Sequence, residues 1–272
     1  MKKNFVQIGA GRMGMSHIDA ARQLDIELIG ICDANADNLA RASQMTGVNN
    51  CYATSEELFS QHKNLDLVLI ATTADSHRHL VEQAAKSGAQ AILCEKPMAT
   101  SVFDARAMIE ACRASGTRLA INHQMRFMDQ YSLVKAELDS GRFGSLSSMN
   151  VLAGCFGLSM NGSHYCEAFR WLTGSDIVSA SAWFSSEIIS NPRGPDFYDR
   201  AGEVRFESED GRRLMMSIGS DQGHGMTVAY GTQVGHILVD ELEGVYTATA
   251  RKEEHKLSPT TRYGLPWDRW QV

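Results

Sequence analysis

Long apolar runs are missing from this chain: no stretch approaches the roughly 18 consecutive apolar residues that a membrane-spanning helix needs. A secretory signal is not expected either. Met1-Lys2-Lys3 is followed by apolar residues, but that stretch is short, contains Gln7 and runs into a glycine turn where a cleavage site would stand. Basic clusters are also wanting. Lys and Arg number 26 against 32 Asp and Glu, a formal net charge of −6 with 21% charged residues, so the surface is ordinary and offers nucleic acid no footprint. The six cysteines (Cys32, Cys51, Cys94, Cys112, Cys155, Cys166) include no C-x-x-C pair. Several fall in apolar stretches, where a free thiol acts as a small hydrophobe, and a reduced, cytoplasmic setting is expected. No metal site is expected: His77 with His79, and His224 with His236, lack the carboxylate or thiol company of a zinc site. Repeats and low-complexity segments are absent, and the 13 methionines are scattered as core filling.

What the chain does have comes first in it. Phe5-Val6-Gln7-Ile8 reads as a strand and runs into Gly9-Ala10-Gly11-Arg12-Met13-Gly14, followed by a helical stretch. Strand, G-x-G-x-x-G and helix in that order form the dinucleotide fingerprint in its meaningful context. Gly9 permits the tight turn, Gly11 lets the backbone approach a pyrophosphate, and Gly14 lets the helix pack closely on the strand. The helix offers free N–H groups and a positive dipole end to the phosphates. A second strand, Ile26–Cys32, ends at Asp33, 19 residues after Gly14. A carboxylate there can accept from the adenosine ribose hydroxyls and would repel a 2′-phosphate, which points to NAD(H) rather than NADP(H).

Strand and helix alternate over the first 120 or so residues. Helices are expected over 35–45, from Ser55 (as N-cap) to Phe59, over 76–87 before a Gly88 cap, and over 102–115 before Gly116. Strands are expected over 65–71, 91–94 and 118–121, the first nearly all apolar as a strand covered on both faces should be. This pattern predicts α/β architecture: a Rossmann-type, doubly wound parallel sheet. After a helix over 128–140, residues 145–250 are mostly strand-like, with one helical segment near Tyr165–Leu172. A second, α+β domain with a largely antiparallel sheet is expected, so the domains read as 1–122 and 123–272.

Glu95-Lys96-Pro97 directly follows a parallel strand. Ligands of open α/β sheets sit at the carboxyl ends of strands, so Lys96 is expected to face the cofactor crevice. Pro97 biases Lys96 towards an extended backbone. A lysine beside an oxidised nicotinamide feels its positive charge, which favours the neutral amine and suits it to exchange a proton with a substrate hydroxyl.

The glycine turn with Asp33, the run Ala71-Thr72-Thr73-Ala74-Asp75-Ser76-His77, Cys94-Glu95-Lys96-Pro97, Arg126-Phe127, and Gly162-Ser163-His164 through Arg170-Trp171-Leu172-Thr173-Gly174 recur together. In this combination the chain resembles the glucose–fructose oxidoreductase/inositol dehydrogenase family (Gfo/Idh/MocA) over nearly its whole length. The resemblance implies oxidation or reduction of a carbinol carbon of a sugar, polyol or related compound, with NAD as cofactor. It implies that Ala71, Thr72 and Thr73 line the nicotinamide and ribose region, and that His77 lies near the cofactor or caps the helix it begins. Glu95 would contact the nicotinamide ribose, Lys96 would be catalytic, and His164 would be the catalytic histidine at a helix start. A neutral imidazole is a good general base near pH 7. Asn161 would bind a substrate hydroxyl. Arg126 is readable as a substrate or cofactor contact, or equally as one half of a structural ion pair. Relatives commonly pair through the second domain's sheet, so a homo-oligomer is expected.

Two departures stand out. Many family members carry an aspartate four residues before the histidine, where this chain has Met160, and Glu167 stands three residues after it, where aspartate is common. Leu257-Ser258-Pro259 through Trp267 and Trp270 to Val272 also ends where relatives have a further helix and strand. An NAD-dependent oxidoreductase is the leading reading. A dinucleotide-binding sensor without turnover, and an NAD-assisted glycoside hydrolase or lyase, are the alternatives.

Overall fold

The computed structural model describes residues 2–154, 157–190, 198–223, 225–256, 258 and 267–272, except for the side chains of residues 187 and 190. Cys155, His224, Leu257 and Pro259, singled out above, lie outside the described residues. The chain divides into two compact units, Met1–Asn122 and His123–Val272.

The first unit alternates without a break: β1 Lys3–Ile8, α1 Arg12–Arg22, β2 Ile26–Cys32, α2 Ala36–Thr46, β3 Cys51–Tyr52 and α3 Ser55–Gln61. It continues through β4 Leu67–Ile70, α4 Ala74–Lys86, β5 Ala91–Cys94, α5 Val102–Ser115 and β6 Arg118–Ile121. Its six strands lie in the order β3-β2-β1-β4-β5-β6, all parallel. The chain order therefore reverses between β1 and β4, and the crevice at that switch point is where open α/β sheets take their ligands. Val6, Ile8, Val68, Ile70, Ile92 and Cys94 on one face, and Phe5, Gln7 and Leu69 on the other, are at most 3% exposed, so the central strands are covered on both faces as their apolar runs require.

Local chemistry fixes the ends of the helices. The Asn35 side chain accepts from the N–H groups of Asp37 and Asn38 and starts α2; Gly47, at φ 75°, ends it. Two boundaries differ from the sequence reading. Thr54, not Ser55, caps α3: its backbone is extended and its hydroxyl accepts from the Glu57 N–H, while Ser55 is buried in the first turn. Helix α4 starts at Ala74, ahead of the expected 76, and its last turn closes on Ser87, with Gly88 one position beyond at φ 86°.

The second unit opens with a 3-10 turn, Gln124–Phe127, then α6 Asp129–Asp139, β7 Leu146–Gly154 and α7 Leu158–Thr173. Next come β8 Ile177–Ser190, β9 Tyr198–Ser208, β10 Arg213–Gly219, β11 Met226–Thr232, β12 Gly235–Asp240, β13 Val245–Arg251 and β14 Trp267–Gln271. The eight strands form one sheet, β14-β13-β12-β11-β7-β10-β9-β8, in which only the β7–β10 pair is parallel. Tyr131 and Val134 of α6 and Tyr165, Ala168 and Phe169 of α7 join Met149, Val151, Leu214, Val228 and Ile237 of the sheet in one core.

Helix α7 is twice as long as its apolar pattern suggested. Its buried stripe, Leu158, Gly162, Tyr165, Phe169 and Leu172, does follow helical spacing. Its first turn, however, is rich in Ser, Asn and Gly, which favour turns over helix, and its cap comes from far along the chain. The Asp199 carboxylate on β9 accepts from Ser159 N–H at 2.8 Å and Met160 N–H at 2.7 Å. His164 therefore sits in mid-helix, not at the helix start. The chain also ends on a paired strand: β14 lies against β13, and Trp270 packs on Phe143 with ring centroids 5.6 Å apart.

Candidate active site

The glycine turn of unit 1 is built as its residue types predict. Gly9 has φ 86°, and a Cβ there would stand 2.5 Å from the Ala71 carbonyl oxygen. A Cβ on Gly14 would lie 1.8 Å from the Gly9 oxygen, so only glycine lets α1 sit this close to the turn. Gly11 is different: a Cβ on it meets nothing within 4 Å. Gly11 is also the N-cap of α1, with no capping side chain and no acidic residue in the first turn. The helix thus points bare N–H groups and its positive end at open space, with exposed Arg12 and half-buried Met13 beside it. These residues fit a dinucleotide pyrophosphate.

Asp33 does double duty at the end of β2. Its Oδ2 accepts from Ala10 N–H at 2.6 Å and its Oδ1 from Asn35 N–H at 2.8 Å, tying the turn to the second strand. A carboxylate has about four lone-pair sites, so acceptor capacity remains for ribose hydroxyls. Ala71, Thr72 and Thr73 follow β4 across the switch point. Ala71 N–H donates to the Ile8 carbonyl at 2.8 Å, and the Thr72 and Ser76 hydroxyls meet at 2.7 Å. The structure thus gathers the turn, Asp33 and Ala71–Thr73 along one sheet edge.

His77 is fully buried on α4 and serves the chain itself. Its ring nitrogens face the carbonyl oxygens of Pro97 at 3.0 Å, Met98 at 3.2 Å and Thr72 at 3.2 Å. It therefore pins the loop after Lys96 to the segment after β4 and caps no helix. Glu95 is 6% exposed and its oxygens are taken up within the unit. Oε1 accepts from His17 Nε2 at 2.7 Å and Asn122 Nδ2 at 2.8 Å, and Oε2 from the Lys96 N–H at 3.2 Å. Burial opposes charge on Glu95, but the hydrogen bonds from His17 and Asn122 outweigh it and hold the carboxyl below the usual glutamate range. Lys96 follows at the carboxyl end of β5, half-buried, before Pro97. Burial pushes the thiols of Cys32 and Cys94 up to about 12, so both remain neutral core residues.

In unit 2, His164 is 4% exposed on α7 and meets the His123 ring edge to face, centroids 5.4 Å apart at 89°. Asn161 lies one turn before it and shares its side of the helix. Arg126, on the 3-10 turn, makes an ion pair with Glu167 of α7 and lies 6.0 Å from the Trp171 ring. The ion pair that the sequence left open for Arg126 is thus formed. Among the described residues, no group of three or more His, Cys, Asp or Glu could hold a metal ion, and no helix is long and apolar enough to cross a membrane.

Sequence reasoning missed His17, Asn122, Asp199 and Glu241. His17 had a usable signal, since its place one turn after Gly14 puts it on the sheet-facing side of α1. The others act on partners far away in sequence. Glu241 accepts from both Tyr131 and Tyr165.

Residues 3–123 match the Gfo/Idh/MocA family model, described as an oxidoreductase family with an NAD-binding Rossmann fold. A D-apiose dehydrogenase from Paraburkholderia graminis is 34% identical over 70% of this chain, and the chain spans only about half, 54%, of that protein. Inositol 2-dehydrogenase 2 from Saccharopolyspora erythraea is 28% identical over 96% of this chain and 79% of its own length. Among solved structures, an oxidoreductase from Agrobacterium radiobacter, in complex with NAD+, L-tartaric acid and magnesium, superposes with a TM-score of 0.80 at 21% identity. That match covers 92% of this chain and 77% of the other. The WlbA dehydrogenase from Bordetella pertussis, in complex with NADH and UDP-GlcNAcA, gives 0.76 at 24% identity, covering 89% and 80%. These two likenesses speak for the fold. The family model matched across unit 1 marks residues 3–123 as an NAD-binding Rossmann domain of the Gfo/Idh/MocA oxidoreductase family, and the inositol dehydrogenase aligns through both units.

Proposed function

We propose that this protein is an NAD-dependent oxidoreductase acting on a carbinol carbon of a sugar, polyol or sugar derivative. The observation that carries the reading is the bare glycine turn at the β1/β4 switch point, with Lys96 held two strands away at the same sheet edge. NAD, when bound, supplies the hydride acceptor at its nicotinamide ring. Gly11 and the first turn of α1 receive the pyrophosphate, Asp33 accepts from the adenosine ribose, and Ala71–Thr73 line the nicotinamide side. Lys96 takes the hydroxyl proton during oxidation and returns it during reduction, and His164 is the second proton-handling group. Asn161 binds a substrate hydroxyl. The names of the relatives favour apiose-like sugars and inositols as the first compounds to try.

The test is Lys96→Met with NAD and a panel of sugars and polyols. Turnover should fall by at least about 10²-fold, the scale of a positioned acid–base group, while dinucleotide affinity changes little. Full activity in that variant would sink the assignment. Met160, standing where many relatives carry aspartate, favours the second reading, a dinucleotide-binding sensor. That reading predicts NADH binding with no turnover across the panel.

The reading extends to a homo-oligomer in the cytoplasm. The sheet face away from the core carries Leu152, Trp183, Met215 and Leu238, 40–64% exposed and on one side by register. Such a face supports self-association. A monomer mass in light scattering would contradict it.

A further inference from the structure

We propose that His17 and Asn122 are positioning residues for Lys96, acting through the buried carboxylate of Glu95. Glu95 directly precedes Lys96, and its Oε2 accepts from the Lys96 backbone N–H at 3.2 Å. Its other oxygen is held from two directions: by His17 Nε2 on α1 at 2.7 Å, and by Asn122 Nδ2 beyond β6 at 2.8 Å. Asn122 is itself fixed, since its N–H donates to the Cys94 carbonyl at 2.8 Å. His17 is fixed through α1, which the missing Cβ of Gly14 seats against the Gly9 carbonyl. On the far side, buried His77 holds the carbonyls of Pro97 and Met98. Residues 95–98 are thus tied to the dinucleotide helix, the end of β6 and α4.

An apolar side chain at 95 would fill this buried place without the cost of desolvating a carboxylate. A carboxylate gives what packing cannot: charge-assisted hydrogen bonds of fixed direction on both oxygens. One carboxylate also receives donors from α1 and from Lys96. Its function is to hold the backbone at Lys96 in register with the helix that receives the dinucleotide.

The inference rests on Lys96 as the proton-handling group, so its first readout is taken on the full chain without cofactor. Amide hydrogen exchange at Lys96 is followed by NMR in the parent, His17→Leu and His17→Gln. Glutamine places an N–H near the imidazole Nε2 position and keeps the donor to Glu95. Exchange at Lys96 should quicken about 10-fold in His17→Leu, the scale of one hydrogen bond, and return towards the parent rate in His17→Gln. In turnover, His17→Leu should lose about 10-fold in kcat with KM for NAD within about 3-fold, and His17→Gln should regain most of the loss. Unchanged exchange at Lys96 in His17→Leu, or equal losses in both variants, would overturn the proposal. If His17→Leu does not fold, Asn122→Ala removes the other donor to Oε1 and is read the same way. A parent that shows the exchange pattern but turns over no sugar would uphold the network and overturn the dehydrogenase reading, so the two fail separately.

Discussion

Gly11 and Gly14 stand three residues apart and carry different burdens, which a single methyl group separates. At Gly14 the added carbon would stand 1.8 Å from the Gly9 oxygen, so Gly14→Ala must push α1 off the turn. A loss of about 1–3 kcal/mol, the scale of overpacking, is expected in thermal unfolding. At Gly11 the carbon meets open space, so Gly11→Ala should unfold like the parent and instead weaken NADH binding, about 10-fold or more by fluorescence titration. Equal melting temperatures for the two variants would contradict this division. The shape of the turn was legible in the sequence because it is local: six consecutive residues decide it. Asp33 was legible for the same reason, at the end of the next strand, although its grip on the Ala10 N–H was not. Glu95 was visible as part of a motif, but its donors were not, because His17 lies 78 residues before it and Asn122 27 after.

Among the elements, α7 marks where sequence reading stops. Its second half is an apolar stripe that reads plainly, and its first turn is not. The residues there are poor helix formers, and their N–H groups are satisfied by Asp199, 40 residues beyond Ser159. Since this turn leads into Asn161 and His164, the account predicts a specific weakness. Asp199→Ala should cost about 1–2 kcal/mol, as loss of an N-cap does, and raise amide exchange first at Ser159 and Met160 rather than in the second half of the helix. Uniform loss of protection along α7 would count against Asp199 as its cap. The contrast with α2 is instructive. Asn35 caps that helix from the adjacent position, and its start was read to within one residue.

For the molecule as a whole, buried Glu95 and half-buried Glu241 pull stability in opposite directions with pH. Glu241 is raised above its ordinary 4.5, burial outweighing the hydrogen bonds from Tyr131 and Tyr165. Its contribution is fully present below that ordinary value and is lost as pH rises through the raised one. Glu95 is lowered, so its contribution is present above 4.5 and is lost as pH falls through the lowered value. Glu241→Gln should therefore gain thermal stability over the parent at neutral pH and lose that gain under acid, as a pair of melting curves at pH about 7 and about 4 would record. A gain that is the same at both pH values would contradict the burial of a strained carboxylate.

The change from a parallel to a largely antiparallel sheet was legible because strand–helix alternation gave way to strands after residue 145. The order of the eight strands was not, since it depends on pairings such as β7 with β10 that join residues about 65 apart. The central claim, a dinucleotide-dependent redox site with Lys96 as its proton-handling group, has one direct measurement: NADH formation from NAD with D-apiose, inositols and related polyols, parent beside Lys96→Met. NADH should accumulate with at least one of these compounds and fall at least about 10²-fold in the variant at nearly unchanged NADH affinity. Binding of NADH without its formation from any compound, or undiminished formation by Lys96→Met, would contradict the claim.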